Sequence, residues 1–419
     1  MERTTIEGID LNDPERFVRM EHHAMFAKLR AEDPVYWQPD GLKGGGYWNV
    51  VKHADLIEIN RDTTTFSSEI GGTMIMSGQL PVGEDPDAMM DTRGVLMLDM
   101  DPPKHTRYRL LVNKGFTPRM IGLIEQALRH RAALIVDNVI ERGTADFVED
   151  IAAELPLQAI AEIMGVPQED RRKLFEWSNR MVGAGDPEYM ANDTGDAFVE
   201  LFTYVNGLAV ERRTDPQDDI VTKLLNAEIE GERLSELEFD MFMMLLAVAG
   251  NETTRNATAH GMHALLTHPE QFELLKSDPD ARIDDAVEEV LRWGSPVLHF
   301  RRTATADAEI RGRHIRAGDR VVIWHISANR DEEVWDNPFA FDITRNPNPH
   351  VAFGGGGSHF CLGANLARME LKLILNELVT RLPDMQLAGE PERLLSNFIG
   401  GIKHMPVKWT PGPRVLVDA

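Results

Sequence analysis

The sequence predicts a mainly α-helical fold with a minor β part, organised as a single domain over residues 1–419. Apolar residues recur at helical spacing at about 100–292 and 362–382, which predicts the helical bulk. Short β-favouring stretches separated by turn-forming glycines, at about 30–60 and 295–325, predict a small β-rich part, and in the first of them residues 35–37 and 47–51 predict a hairpin whose turn is supplied by glycines 44–46. Because the chain has no internal repeat and no low-complexity linker, we expect one folding unit.

The most strongly predicted element is a long helix that begins after Ser235. Ser235 and Glu238 have the spacing of a capping box, in which each side chain bonds the other residue's backbone N–H. The apolar pattern then continues to about Leu266 and stops before Pro269. About 32 residues at 1.5 Å each would span roughly 48 Å, so this helix should cross the whole molecule. Its centre is apolar nearly all round, which is typical of a core helix.

Composition excludes several classes of function. The formal net charge is −24, so a nucleic-acid-binding role is not expected, because phosphate contacts need a basic face. No run of about 18 or more apolar residues occurs, so no membrane-spanning helix is predicted. The N-terminus lacks the apolar core of a signal peptide, and the chain has one cysteine, which rules out an internal disulfide. Both features favour the cytoplasm.

The single cysteine lies between a run of glycines and a predicted helix. Four glycines, residues 354–357, precede Cys361, and Gly363 follows it. Glycines permit a tight loop that approaches a flat ligand closely, and a helix N-terminus lowers the pKa of a cysteine thiol. The alternatives are an inert buried cysteine in a glycine-rich turn, or a nucleotide-binding loop that lacks the Lys-Ser/Thr of a Walker motif. We favour a thiolate that binds a metal.

This segment resembles the haem-binding loop of the cytochrome P450 family, Phe-x-x-Gly-x-x-x-Cys-x-Gly. Gly357, Cys361 and Gly363 match, and His359 takes a place often held by His or Arg. Phe353 lies one residue further upstream than the pattern has, so the loop is one residue longer here. The resemblance implies haem b, iron protoporphyrin IX, held by the Cys361 thiolate, which favours O–O cleavage in this family.

Two charged motifs extend the resemblance. Glu289 and Arg292 match the family's Glu-x-x-Arg, which implies a buried network beside the haem, although an exposed helix pair is the alternative. The family's Pro-x-Arg-Phe element has Ala340 instead of Arg here, and Arg345 is the candidate replacement.

Further charged residues are expected at the haem propionates. His105 and Arg109 lie four residues apart in a motif similar to the family's third helix, so both point one way. Surface charge at a helix start is the alternative reading. Arg302 and His359 are the other propionate candidates by the same resemblance, with Arg301 replacing Arg302 if the strand register differs.

A polar motif interrupts the middle of the long helix and matches the family's Ala/Gly-Gly-x-Glu/Asp-Thr. It contains Ala249, Gly250, Glu252 and Thr253. Glycine in a helix centre costs about 1 kcal/mol relative to alanine, so Gly250 should have a structural reason. The resemblance implies a groove that admits dioxygen over the iron, a hydrogen bond from Thr253 to the bound oxygen, and a proton relay through Glu252. A tolerated polar patch on a helix is the alternative.

The resemblance implies a monooxygenase that takes O2 as co-substrate and inserts one oxygen atom into a C–H bond of a hydrophobic substrate. Electrons from NAD(P)H would arrive through a separate ferredoxin and ferredoxin reductase, because no Gly-x-Gly-x-x-Gly fingerprint or flavin domain is seen. A monomer is expected. The candidate pocket residues, each of which could equally be plain core, are Met76, Val95, Val248, Ala249, Val297 and Phe398.

Four stretches are most similar to the bacterial steroid side-chain and methyl-branched lipid hydroxylases: 155–160, 165–170, 249–256 and 345–350. That subgroup hydroxylates a terminal methyl of cholesterol or cholestenone, so this is the expected reaction, with a terpenoid or fatty acid as the alternative substrate. Two other classes remain open. One is a haem protein that does not oxygenate substrates, such as a gas sensor or a peroxide-driven enzyme. The other is a colourless lipid-binding protein with a structural cysteine.

Overall fold

The computed structural model describes residues 6–39, 45–74, 79–81, 89–113, 116, 118–183, 185–189, 194–228 and 233–416. The α-helices in this part of the chain are α1 Pro14–Val18, α2 His22–Glu32, α3 His53–Arg61, α4 Lys104–Val112, α5 Pro118–Ile140, α6 Glu154–Met164, α7 Arg171–Val182, α8 Thr194–Thr214, α9 Ile220–Leu225, α10 Glu236–Thr267, α11 Pro269–Ser277, α12 Pro279–Gly294, α13 His325–Ala328 and α14 Ala364–Arg381. The strands are β1 Val35–Gln38, β2 Tyr47–Val50, β3 Phe66–Ser67, β4 Gln79–Pro81, β5 Met89–Asp91, β6 Thr144–Asp146, β7 His299–Ala304, β8 Ala308–Ile310, β9 Arg313–Ile315, β10 Arg320–Trp324, β11 Gln386–Leu387, β12 Glu392–Arg393, β13 Ile402–His404 and β14 Pro406–Lys408.

Helix α10 is the element around which the helical part is arranged. Its capping box forms as the sequence predicts: the Glu238 N–H donates to Ser235 Oγ at 3.3 Å, and the Ser235 N–H donates to Glu238 Oε2 at 2.9 Å. The helix ends at Thr267. Because α6, α7, α8, α12 and α14 all pack against it, most of its side chains are buried. Among the described helices, none has both the length and the apolar composition needed to cross a bilayer.

The two β-rich stretches of the sequence meet in one five-stranded sheet of order β1-β2-β10-β7-β3. Strands β1 and β2 form the predicted hairpin, and Gly45 of its turn has a φ of +89°. Gly44, also assigned to this turn, lies outside the described residues. β10 runs parallel to β2 and antiparallel to β7, in a register that pairs Arg302 with Val321 and Arg301 with Val322.

Glu289 and Arg292 of α12 are completely buried, so they are not an exposed helix pair. Arg292 donates to both oxygens of the Glu289 carboxylate, at 2.7 Å each, and to the backbone carbonyls of Asn329, Pro338 and Ala340. Arg345 lies at the edge of the pair, with its Nε 3.3 Å from Glu289 Oε1. This network holds the segment at 329–345 against α12, so it connects the helical part to the chain that leads into the cysteine loop.

Replacing Arg292 by Met should lower the free energy of unfolding by about 3–5 kcal/mol, because the buried Glu289 carboxylate loses its principal partner. The matched control is Arg345→Met, whose side chain mainly donates to backbone carbonyls of the surface loop and should lower it less. Urea unfolding followed by circular dichroism measures both. If the free energy of unfolding falls equally in the two variants, Arg292 is not the principal partner of Glu289.

Candidate active site

A cavity lies between the middle of α10 and the glycine loop that leads into α14. It encloses about 1540 Å³, including the part open to solvent. Cys361 lines it from the loop, and Ala249, Gly250 and Thr253 line it from α10. Protein surrounds the Cys361 sulfur, and the sulfur is accessible because it faces this cavity.

The loop before Cys361 is shaped by four consecutive glycines. Gly354, Gly355, Gly356 and Gly357 have φ values of +98°, +68°, +112° and +80°, a region that residues with a side chain rarely adopt. A Cβ atom on Gly357 would lie 2.2 Å from the carbonyl oxygen of Asn60, so this glycine allows the loop to sit against the end of α3. Gly357 therefore shapes the loop and does not itself line the cavity.

The loop closes on itself through a hydrogen bond of 3.0 Å from the Cys361 N–H to the carbonyl of Phe353. Phe353 lines the cavity although it lies one residue further from the cysteine than the family pattern, because the extra glycine is taken up within the loop. Its ring contacts that of Phe360 and lies 4.6 Å from the guanidinium carbon of Arg368.

Burial raises the pKa of the Cys361 thiol, while the Gly363 N–H and the charges of Arg109 and Arg368 act in the opposite direction. The protein alone therefore favours the neutral thiol. A bound metal reverses this preference, because a thiol that coordinates a metal is deprotonated. The sulfur, aimed into the cavity with these donors around it, fits a metal ligand.

One end of the cavity is polar and cationic, and its lining includes Arg302, Arg109, His105 and His359. Arg302 is buried and donates to the backbone carbonyl of Arg301 and to the side chain of Asn60, at 2.8 and 2.9 Å. Burial lowers the pKa of Arg302 to about 10, so it stays charged at neutral pH.

The two histidines at this end lie side by side, with ring centroids 4.1 Å apart. His359 Nε2 is 3.1 Å from the Met100 carbonyl, whereas the buried Nδ1 of His105 has no partner among the described residues. Two arginines and an unpaired ring nitrogen are suited to an anionic group. This end therefore fits the two propionates of haem b.

The strand register distinguishes Arg302 from Arg301. Neighbouring residues of β7 point to opposite faces of the sheet, and it is Arg302 that lines the cavity. The Arg301 side chain is on the other face, where it donates to Thr303 Oγ1 at 3.2 Å.

The polar motif of α10 divides between the cavity and the protein interior. Thr253 lines the cavity, and its hydroxyl donates to the Ala249 carbonyl at 2.7 Å. A Cβ on Gly250 would lie 2.7 Å from Ile160 Cδ1, so close packing of α6 is a structural reason for glycine here. Glu252 does not line the cavity: it is buried, accepts from Ser178 Oγ at 3.0 Å and pairs with Arg255 at 2.5 Å.

The predicted pocket residues are only partly brought together. Val297 and Ala249 line the cavity. Val95 and Val248 do not, because they pack against the hydrophobic core, and Phe398 packs instead on the rings of His299 and Phe300. Met76 lies outside the described residues.

Several lining residues were missed by sequence reasoning. Counting in steps of three and four residues from Ala249 along α10 would have found one group of them, since these share its helical face. That group is Phe242, Leu245, Leu246 and Ala257. Phe116, Phe300 and Glu370 come from distant segments and carried no such signal.

Glu370 is the one acidic residue found on the cavity wall within the described chain. It lies on α14, is buried, and its Oε2 has no partner among the described residues. Burial raises the pKa of Glu370 to about 8, so the carboxyl group is mostly protonated at neutral pH.

Comparison with known proteins gives a consistent picture. The family model described as "Cytochrome P450" matches residues 157–383. A steroid C26-monooxygenase of Mycolicibacterium smegmatis is 47% identical, over 94% of this chain and 91% of its own. A methyl-branched lipid omega-hydroxylase of Mycobacterium tuberculosis is 43% identical, over 92% and 90%. Among solved structures, a Mycobacterium marinum cytochrome P450 in complex with pseudoionone is 38% identical, with a TM-score of 0.89 over 98% of this chain and 100% of that chain.

The pKa of Glu370 has a consequence for stability. With a folded-state pKa of about 8 against an ordinary value of 4.5, the native state keeps a proton that the unfolded chain has released. The stabilising contribution of this group is therefore complete below the ordinary value and is lost as the pH rises through about 8. Glu370→Gln removes the titration, so the variant should match the wild type at about pH 5 and exceed its stability at about pH 9.

Urea unfolding of the haem-loaded proteins across this pH range tests the expectation. Glu377→Gln is the matched control, because Glu377 lies on the same helix, is partly exposed and pairs with Arg381. If wild type and Glu370→Gln lose stability in parallel as the pH rises, Glu370 is not protonated in the native state.

Proposed function

Because the chain belongs to the cytochrome P450 family, we propose that it hydroxylates a terminal methyl group on the side chain of a sterol such as cholesterol or cholestenone. The class of enzyme follows from the family: it is a monooxygenase that uses O2, holds haem through a cysteine thiolate and acts on a hydrophobic substrate. The observation that carries the proposed substrate is 47% identity, over 94% of this chain, to a steroid C26-monooxygenase.

The cavity wall supports a large apolar substrate. Away from its polar end, the lining includes Phe116, Phe242, Leu245, Leu246 and Val297. These side chains offer no hydrogen bonds, so they select a ligand by shape and by burial of apolar surface. A sterol suits such a wall, because its rings and side chain are almost entirely apolar and the side chain ends in methyl groups.

A terpenoid is the second candidate substrate. The solved cytochrome P450 of Mycobacterium marinum, 38% identical to this chain, is in complex with pseudoionone. A fatty acid or methyl-branched lipid remains within the same class, because a methyl-branched lipid omega-hydroxylase is 43% identical.

The proposed roles of the cofactor-binding residues follow from their positions. When bound, haem supplies the reductive activation of dioxygen. Cys361 would hold its iron through the thiolate, and Gly363 donates its N–H to the sulfur. Phe353 begins the loop that carries this cysteine, and its carbonyl accepts from the Cys361 N–H. The propionates would be held by His105, Arg109, Arg302 and His359, all of which line the polar end of the cavity.

Protons are proposed to reach the reacting oxygen through α10. Thr253 releases the Ala249 carbonyl and turns its hydroxyl into the cavity, which Ala249 and Gly250 also line. Glu252 collects protons from solvent, for which its carboxylate must leave Arg255 and Ser178. Glu289, Arg292 and Arg345 take no part in the chemistry and maintain the fold beneath it.

The proposal extends to the partners. Electrons come from NAD(P)H through a separate ferredoxin and ferredoxin reductase, and the enzyme works in the cytoplasm as a monomer and a single domain. The absence of a Gly-x-Gly-x-x-Gly fingerprint from the sequence supports an external source of electrons.

An optical titration with cholest-4-en-3-one tests the substrate. If the sterol displaces the water on the iron, the Soret band moves from its low-spin to its high-spin position at micromolar ligand. A product formed under isotopically labelled O2 should then carry one labelled atom on a terminal carbon. A thiolate-type Soret band that does not move with the sterol but moves with pseudoionone makes the terpenoid the substrate. No Soret band after haem reconstitution would overturn the assignment as a whole.

Thr253→Ala should separate electron consumption from product formation. Proton-transfer groups typically contribute about 10²–10⁴-fold, so product formed per NADH should fall by at least about ten-fold while NADH consumption continues. Thr258→Ala is the matched control: Thr258 is buried on the same helix, donates to the Thr254 carbonyl and does not line the cavity. Full coupling in Thr253→Ala, measured by product and peroxide yields, would remove the proposed role.

A further inference from the structure

A second cavity lies on another side of α10, between α2, the C-terminal half of α10 and the chain around β12. It encloses about 860 Å³, including the part open to solvent, and no residue lines both cavities. The roles proposed above for the active site use none of its residues. Its polar lining includes two arginines and four histidines: Arg330, Arg393, His22, His23, His260 and His263.

The charged side chains that line this second cavity are all positive. Within the described part of the chain no aspartate or glutamate lines it, although the protein as a whole carries a formal net charge of −24. Burial lowers the pKa of His22 and His260 to about 3 and that of His263 to about 4, so these imidazoles are neutral at pH 7. Burial lowers the pKa of Arg330 to about 9, which leaves it charged.

The arginines lack the carboxylates that normally accompany buried charge. Arg330 Nη2 donates to the Trp293 carbonyl at 2.8 Å and its guanidinium lies over the Trp293 ring, but its buried Nη1 has no partner among the described residues. His22 Nδ1 is also buried without a described partner. The Arg393 side chain makes no hydrogen bond or ion pair to the described chain, and both cations lower the pKa values of His22 and His260.

We propose that this cavity binds a small oxyanion, a phosphate or carboxylate group, between Arg330 and Arg393. The unpaired Arg330 Nη1 and the free guanidinium of Arg393 supply charge-assisted hydrogen bonds, which are the strong kind for such anions. A neutral imidazole has one N–H donor, and that of His260 is already used by the Gly400 carbonyl, so His23 and His263 are the imidazoles that can each donate to the anion. A metal ion is excluded here, because the described residues contain no cluster of ligands that could hold one and the two cations would repel it.

The site would communicate with the haem cavity through a shared wall. Leu298 lines the second cavity, while its neighbour Val297 lines the first. His260 Nε2 bonds the Gly400 carbonyl at 2.7 Å, and Val297 pairs with Ile399 in an isolated bridge. An anion bound among these side chains would therefore be next to the segment that shapes the apolar wall.

Calorimetric titration of the haem-loaded enzyme with inorganic phosphate, and separately with acetate, tests the site against sodium chloride at equal ionic strength. We expect one anion per protein, and affinity about ten-fold weaker in Arg393→Gln, because a partly buried charge that pairs with the anion is lost. Arg129→Gln is the control for net charge, because Arg129 is exposed and pairs with Glu125 on α5. This control variant should bind the anion as tightly as the wild type does.

The two anions separate the possible sources of the ligand: binding of phosphate alone indicates a phosphoryl group, and binding of acetate alone indicates a carboxylate. If neither binds above chloride, the cavity holds water only and the proposal fails. It also fails if Arg393→Gln binds like the wild type. Should Arg393→Gln lose its Soret band, His263→Gln replaces it, with the same expected loss of affinity.

Discussion

The position of the Cys361 sulfur depends on a constraint in the loop before it. The Cys361 N–H must reach back to the Phe353 carbonyl, eight residues earlier, while the chain between them passes against the end of α3. The chain makes both contacts through four consecutive residues with positive φ, Gly354 to Gly357. The sulfur held at this point faces the cavity. The polar residues at one end of the cavity and the apolar wall near α10 surround the same space, so their proposed roles depend on where the sulfur lies.

A second layer of structure supports the loop from behind. The completely buried Glu289–Arg292 pair ties α12 to the backbone of the segment at 329–345, which leads directly into the glycine loop. Burying two charges is favourable only when their geometry and remaining hydrogen bonds are satisfied, and here the Arg292 guanidinium makes five of them. The pair therefore specifies one arrangement of a chain segment that has little regular secondary structure.

Features with a local cause could be predicted from the sequence. The Ser235 capping box and the long α10 follow from spacing within one segment, and the glycines before Cys361 indicate their loop directly. To predict that Arg302 and not Arg301 lines the cavity, one needs the register of β7 against β10, which the sequence alone leaves open. The packing reason for Gly250 lies in Ile160, ninety residues away, so no local pattern could indicate it. The second cavity, lined by four histidines, lies between α2 and α10, which are far apart in the sequence, so no local pattern could indicate it either.

The four glycines also limit how this loop can diverge. At positions 354–357 the backbone itself sets the geometry, and a side chain at any of them would be strained or would strike α3. Related chains that keep this loop length can therefore vary mainly at Ser358 and Phe360, whose backbones are free of that restriction. The shape of this loop depends on four residues without side chains, and the group that can bind a metal is the sulfur of Cys361, which follows them.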